Sequence, residues 1–569
     1  MYTFKTLFDI PKYIDENINN PTYLNYIDKN GNYEAISSKE FFSNINKLSK
    51  AFYSNGVRKG TTVGIVSESS PFWLMIDFAL QRLGAISVPI FANIASDNLL
   101  YEIEDAEISY LFIASDEKLN ILKPYLDKMN LVVVKDVEYC SKNVMSWEYF
   151  LLESDEEIEY AEILPNDIAT IIYTSGSTGC PKGVELSHKN LVTQLYDTYE
   201  HYKLLPEDRA LSFLPLAHVF ERMVMMFYLV SGTSVYFVDD VKLVAKRIKE
   251  VKPTVMTVVP RLLNKMHAKM HEKIENSYFI KKLLGLAALK RAENKEPDDK
   301  IPCFLDSIYE KLVYEKFREA LGGNLRIVIS GGAPLSMKVY RFFLNIGVPV
   351  YQGYGLTETS PVISTNSPLK SKCGTCGVLF SHVEAKLGKK NELLVRGDSV
   401  MLGYHKDKEK TDEVIDKDGW FHTGDIVNID EEGFLTITSR LKEMFKTSTG
   451  KYVSALPIEE QLCGCRVIEH AMIIAEGRPY TTVLIFPDQN ILEKNQGKLI
   501  QKDIEKIQKA IKKINSILSK WEQMQEYHIV TTIPTIEDGI LTPSMKLSRN
   551  KAEKIYNKEI EYMYRKDIV

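Results

Sequence analysis

The segment Tyr173-Thr174-Ser175-Gly176-Ser177-Thr178-Gly179-Cys180-Pro181-Lys182-Gly183 puts hydroxyls, glycines and one lysine directly behind a short apolar run, Ile168 to Tyr173. Such a run reads as a buried strand, and the loop it feeds has the chemistry of a phosphate site. Glycines let backbone N–H groups turn toward an anion without a Cβ in the way, hydroxyls donate hydrogen bonds, and lysine supplies a mobile charge. The P-loop pattern G-x-x-x-x-G-K-[ST] does not fit, because Cys180 and Pro181 separate Gly179 from Lys182 and Gly183 follows the lysine.

Working outward, Thr62 to Val66 is strand-like, Pro71 to Leu83 helical, and Ile86 to Ile90 again strand-like. This alternation predicts an α/β fold. Leu325 to Ser330 repeats the theme and delivers a second glycine-bearing turn, as where strand ends present loops to a ligand. The charged stretch Lys290 to Lys300 reads as an exposed insertion. Beyond Arg440 the pattern changes to strands at His470–Ala475 and Thr481–Phe486, a Lys-rich helix from Gln501 to Lys520, and a strand at Tyr527–Ile533. A smaller α/β domain is expected there.

The 569 residues exceed what one hydrophobic core usually serves, so at least two domains are expected. With 71 basic and 76 acidic side chains the net charge is -5, which gives no reason to expect a nucleic-acid partner. The amino terminus shows no signal-peptide pattern, and the longest apolar stretch, Met223 to Val230, is too short to span a bilayer. Seven cysteines without regular spacing read as reduced thiols, Cys373-x-x-Cys376 included, so a cytoplasmic location is expected.

The glycine-rich loop resembles the [ST]-S-G-[ST]-T-G-x-P-K-G signature of the adenylate-forming superfamily of acyl-CoA synthetases, luciferases and adenylation domains. Further motifs stand in the order of that family from about Thr62 to Lys546. The resemblance implies a large N-terminal α/β domain of several subdomains (1–440), binding AMP and the fatty acid, and a small mobile C-terminal α/β domain (441–569). ATP, magnesium and coenzyme A are the implied cofactor and substrates.

Residue by residue, the resemblance implies that Thr174, Ser175, Gly176, Ser177, Thr178, Gly179 and Lys182 hold phosphate, with Thr174 also near the metal. Gly332, Ala333 and Pro334 resemble the adenine-side loop. In Gly353-Tyr354-Gly355-Leu356-Thr357-Glu358 the tyrosine would stack on adenine and Glu358 would meet magnesium, a job suited to the loop's carboxylate. Asp425, in Thr423-Gly424-Asp425, would grip the ribose, and Arg440 would reach ribose or phosphate. Lys442 is the implied hinge. Ser439 departs from the D-R-x-K pattern of that hinge, where aspartate is common. Lys546, in Leu541-Thr542-Pro543-Ser544-Met545-Lys546, resembles the lysine that stabilises the adenylation transition state. Lys446 and Gly450 resemble the CoA-side segment, though a plain exposed turn has the same composition.

Pro215-Leu216-Ala217-His218-Val219-Phe220-Glu221-Arg222 resembles the long-chain branch of the superfamily, placing His218 beside the acyl carboxylate. A long-chain fatty acid is therefore the expected substrate. A carrier-protein acceptor, aryl or short acids, and a noncatalytic binding protein are the competing readings. Finally, Ile280, Leu283, Leu284, Ala287 and Ala288 share one helical face with Lys281, Lys282, Lys290 and Arg291 nearby. Packing against the core is the first expectation for that face, and peripheral contact with the inner face of a membrane is the second.

Overall fold

The computed structural model describes residues 4–136, 141–152, 157–174, 181–238, 240–297 and 305–565. Two large sheets form most of the molecule. One holds eight strands, running Gly403–Tyr404, Lys182–Ser187, Ile168–Thr174, Ile86–Ile90, Thr62–Val66, Tyr110–Ile113, Leu131–Val134 and Val144–Ser146. The other holds nine, with the parallel run Ser234–Phe237, Arg209–Ser212, Val255–Val258, Ile327–Ser330 and Val350–Gly355 at its centre. Two inner strands of that run, Val255–Val258 and Ile327–Ser330, are buried along their whole length, as required where both faces are covered.

Local signals set the helices between strands. Helix Pro71–Leu83 starts where the Ser70 hydroxyl accepts from Trp73 N, has proline in its first turn, and stops at Gly84 with φ +66°. Side-chain cap, N-terminal proline and left-handed glycine are each written in the sequence. Helix Val219–Val230 is the long apolar stretch, and eleven of its twelve residues are buried, Glu221 and Arg222 among them.

A four-stranded antiparallel sheet, Val383–Leu387, Glu392–Gly397, Phe421–Ile429 and Leu435–Arg440, leads to the carboxy-terminal part. There, strands Ile468–Ile474, Thr481–Pro487 and Met524–Ile529 form a sheet with Thr481–Pro487 in the middle. Its side chains alternate: Val483 and Ile485 pack with Ile507, Ile511 and Ile514 of helix Gln501–Asn515, while Leu484 and Phe486 pack with Tyr556, Ile560 and Met563. Helices thus cover both faces, and the α/β reading of this region stands.

Three expected boundaries move. The Lys-rich helix ends at Asn515 rather than Lys520, because the Asn515 side chain caps Met524, donating to its carbonyl at 2.9 Å and accepting from its N–H at 3.0 Å. The last strand is Met524–Ile529, three residues earlier than expected at its start, since pairing with Thr481–Ile485 fixes the register of a polar edge strand. Helix Phe279–Asn294 runs into the stretch read as an exposed insertion.

Helix Phe279–Asn294 also corrects the expected buried face. Gly285, Ala288, Leu289 and Ala292 are buried, whereas Ile280 is 79% and Leu283 65% exposed, and Ala287 is exposed too. The reason is close approach: a Cβ on Gly285 would stand 2.6 Å from the Ile274 side chain. The small residues face the neighbouring helix because only they fit there.

Candidate active site

The loops of interest gather at the carboxyl ends of the two large sheets. Strand Ile168–Thr174 leads into Ser175, Gly176, Ser177, Thr178 and Gly179, which lie outside the described residues. The chain returns at Lys182, which pairs with Thr174 across the hairpin. Lys182 Nζ lies 4.8 Å from the Tyr404 ring centroid, and Tyr404 donates its hydroxyl to Glu358 Oε1 at 2.9 Å. Partial burial, then Lys442 and Lys410, lower the pKa of Lys182, while Glu358 and Asp407 oppose them. Three cations therefore gather with two carboxylates, one of which, Asp407, is already paired with Lys410, an arrangement suited to a polyanion and a hard metal ion. Among the described residues only Tyr404 donates to the Glu358 side chain, so the carboxylate keeps capacity for a metal.

A second group forms where Tyr354 meets the four-stranded sheet. Tyr354 donates its hydroxyl to Asp425 Oδ2 at 2.7 Å, and Arg440 Nε stands 2.8 Å from Asp425 Oδ1. Asp425 and Arg440 are register partners on adjacent strands, which fixes the pair before any ligand arrives. Burial and Asp425 push the Tyr354 phenol well above its usual pKa, so it stays a donor. Tyr354 thus occupies Oδ2 of Asp425, while Oδ1 stands beside the Arg440 charge and receives no hydrogen bond among the described residues. The backbone here admits no side chain: a Cβ on Gly355 would lie 1.7 Å from the Pro361 carbonyl. Gly353 and Gly355 flank Tyr354 on the strand, and Thr357 and Glu358 follow in a single 3₁₀ turn.

The acyl-side residues come from a different element. His218 caps helix Val219–Val230, its Nδ1 accepting from Phe220 N at 3.2 Å. Burial and the Lys546 ammonium lower its pKa to about 4, so it is neutral at physiological pH. The Phe220 ring would be 3.0 Å from a Cβ on Gly331, which joins this loop to the one carrying Gly332, Ala333 and Pro334. Glu221 and Arg222 do not pair with each other. Glu221 accepts from Ser212 at 2.8 Å and Thr257 at 3.0 Å, and Arg222 forks onto Asp77 at 2.7 and 2.9 Å. Both are fully buried, and they brace the helix behind His218.

Lys546 arrives from the opposite end of the chain. Its loop is closed by Thr542 N donating to Lys546 O and by Lys546 N donating to Thr542 Oγ1, and it touches the large domain where Asn93 Nδ2 donates to Pro543 O at 3.2 Å. Protein crowding around its ammonium, then Arg440, lower the pKa of Lys546, while Glu443 and Asp425 oppose them. Lys546, on an exposed loop, thus comes within electrostatic reach of the Asp425–Arg440 pair, of Glu443 and of His218. Glu443, Tyr404 and Lys410 join this constellation without a motif to announce them; Lys410 sits in the charge run Lys406 to Lys410, which reads as plain surface.

Lys442 lies in the 3₁₀ turn Leu441–Glu443. Lys446 and Gly450 lie on an exposed hairpin of strands Met444–Lys446 and Tyr452–Ser454, with Gly450 at φ +80° and Lys446 N donating to Glu476. Cys373 and Cys376 form no disulfide, and burial pushes the Cys376 thiol up to about 12. Gly377 beside them is obligatory, its Cβ position lying 1.8 Å from the Thr365 backbone.

Comparison with known proteins decides the family. Residues 16–405 match the AMP-binding enzyme family and residues 443–567 its C-terminal domain. The chain belongs to the AMP-binding enzyme family. It is 31% identical to the long-chain-fatty-acid–CoA ligase FadD15 of Mycobacterium bovis, over 94% of this chain and 93% of that protein. Against long-chain-fatty-acid–CoA ligase 5 of Rattus norvegicus it is 29% identical, over 98% of this chain and 88% of the relative. Among solved structures, the adenylation domain of a carboxylate reductase from Mycobacterium chelonae superposes with a TM-score of 0.80 at 21% identity, covering 98% of this chain and 91% of that one. The anthranilate CoA ligase AuaEII, in complex with anthranoyl-AMP, gives 0.76 at 20% identity, covering 99% of each chain. This AMP-binding enzyme therefore has the α/β fold with a large N-terminal and a small C-terminal domain.

Proposed function

We propose that this AMP-binding enzyme is an AMP-forming fatty acid–CoA ligase acting on long chains. One observation supports the reading: the loop of Lys546 touches the large domain through Asn93 and Pro543, and its ammonium comes within electrostatic reach of Arg440, Asp425 and His218. A family member that only bound nucleotide would have no use for that convergence. The names of the relatives from Mycobacterium bovis and Rattus norvegicus support a fatty acid and CoA as substrates.

In the first half-reaction the fatty carboxylate attacks the α-phosphorus of ATP, the P–O bond to pyrophosphate breaks, and acyl-AMP forms. The protein's task is to position the two anions and offset the charge that develops between them. Lys182, with Lys410 and Lys442 behind it, is assigned to the departing phosphates, and Lys546 to the α-phosphate and attacking carboxylate. Glu358 and Thr174 would hold magnesium, which when bound neutralises the triphosphate and polarises its oxygens. Asp425 and Arg440 are assigned to the ribose, with Tyr354 fixing the aspartate. Neutral His218 lends an N–H to the carboxylate and keeps no positive charge that would trap it.

In the second half-reaction the CoA thiol attacks the acyl carbonyl and AMP departs. Lys446 and Gly450 lie on an exposed hairpin, and their proposed role is to meet CoA when the small domain turns about Lys442. The test is thioester formation that depends on both ATP and CoA, across a ladder of fatty acid lengths and with a carrier protein as the rival acceptor. A maximum at short or aryl acids would overturn the long-chain reading, and transfer to the carrier alone would overturn the CoA reading.

We further propose that the enzyme collects its substrate at an anionic membrane surface. No helix among the described residues is long and apolar enough to cross a membrane. Tyr278, Phe279, Ile280 and Leu283 are 87%, 81%, 79% and 65% exposed, at one tip, with the exposed Lys273 and Lys281 beside them. Aromatic and aliphatic side chains rimmed by lysine match an anionic lipid interface.

A further inference from the structure

The helical hairpin that carries this tip holds a second group of chemically capable side chains. His267 and His271 stand one turn apart on helix Pro260–Glu275, and Glu293 faces them from helix Phe279–Asn294. Both imidazoles aim Nε2 at the same oxygen, Glu293 Oε1, at 2.8 Å for His267 and 2.6 Å for His271. The three ligand atoms all lie within 4.8 Å of one another, and His267 and Glu293 are buried. Their neighbours, Phe342 against the His267 ring and Lys338 at 3.0 Å from Glu293 Oε1, have no part in the nucleotide or acyl chemistry assigned above.

We propose that His267, His271 and Glu293 form a divalent-cation site for which zinc is the chemical fit, clamping the two helices of the hairpin. An i, i+4 histidine pair completed by one carboxylate from a neighbouring helix is a three-ligand zinc set that leaves a fourth position for water. Two nitrogens and one oxygen exclude the all-oxygen preference of magnesium and calcium. Around zinc, with bonds of about 2.0–2.1 Å, neighbouring donors stand roughly 3.3 Å apart, so the carboxylate must withdraw by about half an ångström. Each imidazole must carry its proton on Nδ1 for its Nε2 to ligate, so metal entry replaces the two contacts to Glu293 with metal bonds. Lys338 is the cation now in contact with Glu293. Its side chain is 56% exposed and can swing into water when a metal takes over.

The test uses the full-length protein, freed of metal by chelation and titrated with zinc, and in parallel with cobalt(II) to identify ligand type by its spectrum. The expected result is one saturable site whose cobalt spectrum lacks thiolate charge transfer. Affinity should fall by more than about 100-fold in His271→Ala and Glu293→Gln, beyond the loss typical of supporting residues. Lys338→Met removes the competing charge and no ligand, so it should bind severalfold more tightly. Should the ligand variants fail to fold, the gain in Lys338→Met together with the nitrogen and oxygen spectrum still supports the site. Absence of saturable binding in both wild type and Lys338→Met, a thiolate spectrum, or equal affinity in all variants would leave a hydrogen-bond network only and overturn the proposal.

Discussion

Ser439 and Ser454 meet through their hydroxyls at 2.8 Å, tying the last strand of the four-stranded sheet to the residue that opens helix Ala455–Cys463. Aspartate is common at the position of Ser439 in the hinge pattern, and here a neutral hydroxyl pair stands in its place. A neutral hydrogen bond contributes about 1 kcal/mol. If the pair holds only in the arrangement that seats Lys546, Ser439→Ala should shift the balance between arrangements by up to about fivefold. The measurement is the ratio of acyl-AMP formation to thioester formation from supplied acyl-AMP. A ratio identical to wild type would show that the pair does not report on the hinge.

Lys546→Ala separates the half-reactions more sharply. Removing a charge aimed at the α-phosphate should slow acyl-AMP formation by about 10²–10³-fold, the range seen when one preorganised stabilising donor is deleted. Thioester formation from supplied acyl-AMP should change far less, because that step loses AMP rather than pyrophosphate. Single-turnover assays of each step decide the matter, and equal loss in both would remove Lys546 from its assigned role. Lys442→Pro is the converse experiment: fixing φ at the hinge should impair transfer to CoA preferentially.

Most of the framework was legible because its signals are local. Ser70, Pro71 and Gly84 bound their helix as a cap, a first-turn proline and a left-handed stop, and the loops after Tyr173 and Ser330 follow strands as expected. What escaped was decided by partners far along the chain. Tyr404 approaches Lys182 and Glu358 only through sheet pairing, since Tyr404 pairs with Val184. Glu443 gains meaning only when Lys546 arrives from another domain. On helix Phe279–Asn294, side-chain size misled: the large apolar residues Ile280 and Leu283 suggested the buried face, but contact with Ile274 selects the face with Gly285, Ala288 and Ala292. Apolar periodicity identifies a helix, and the neighbour's shape chooses which side it uses.

The tip at Tyr278–Leu283 can be tested without touching the cleft. Burying one large apolar side chain in lipid is worth about 1.5–3 kcal/mol, so Phe279→Ser and Ile280→Ser together should weaken binding to phosphatidylglycerol-containing vesicles by at least about tenfold. Binding by wild type should also fall as salt rises, through the lysines beside the tip. Co-sedimentation with anionic and neutral vesicles measures both effects. Activity on a detergent-dispersed fatty acid should stay near wild type. Equal sedimentation of variant and wild type would mean that the tip does not meet lipid.

Acid should destabilise the fold through a histidine remote from catalysis. His188 is fully buried at the start of helix His188–Tyr202, and its Nδ1 accepts from Leu7 N at 3.2 Å, pinning the amino-terminal segment. Burial lowers its pKa from 6.5 to about 4, with Asp167 opposing. The sign follows from proton uptake: between these values the unfolded chain binds a proton that the folded chain refuses, so stability falls as pH drops from 6.5 toward 4. The gap is worth at most roughly 3 kcal/mol. His188→Gln keeps an acceptor for Leu7 and cannot titrate, so its denaturant midpoint should fall less steeply over the same window, although the variant starts lower at pH 7 because a packed ring has been lost. Other buried histidines, His218 and His470 among them, preserve part of the slope in the variant, since burial lowers each to about 4. Parallel slopes for His188→Gln and wild type would show that the His188 ring is protonated in the folded state and that the Leu7 hydrogen bond runs through a different tautomer or not at all.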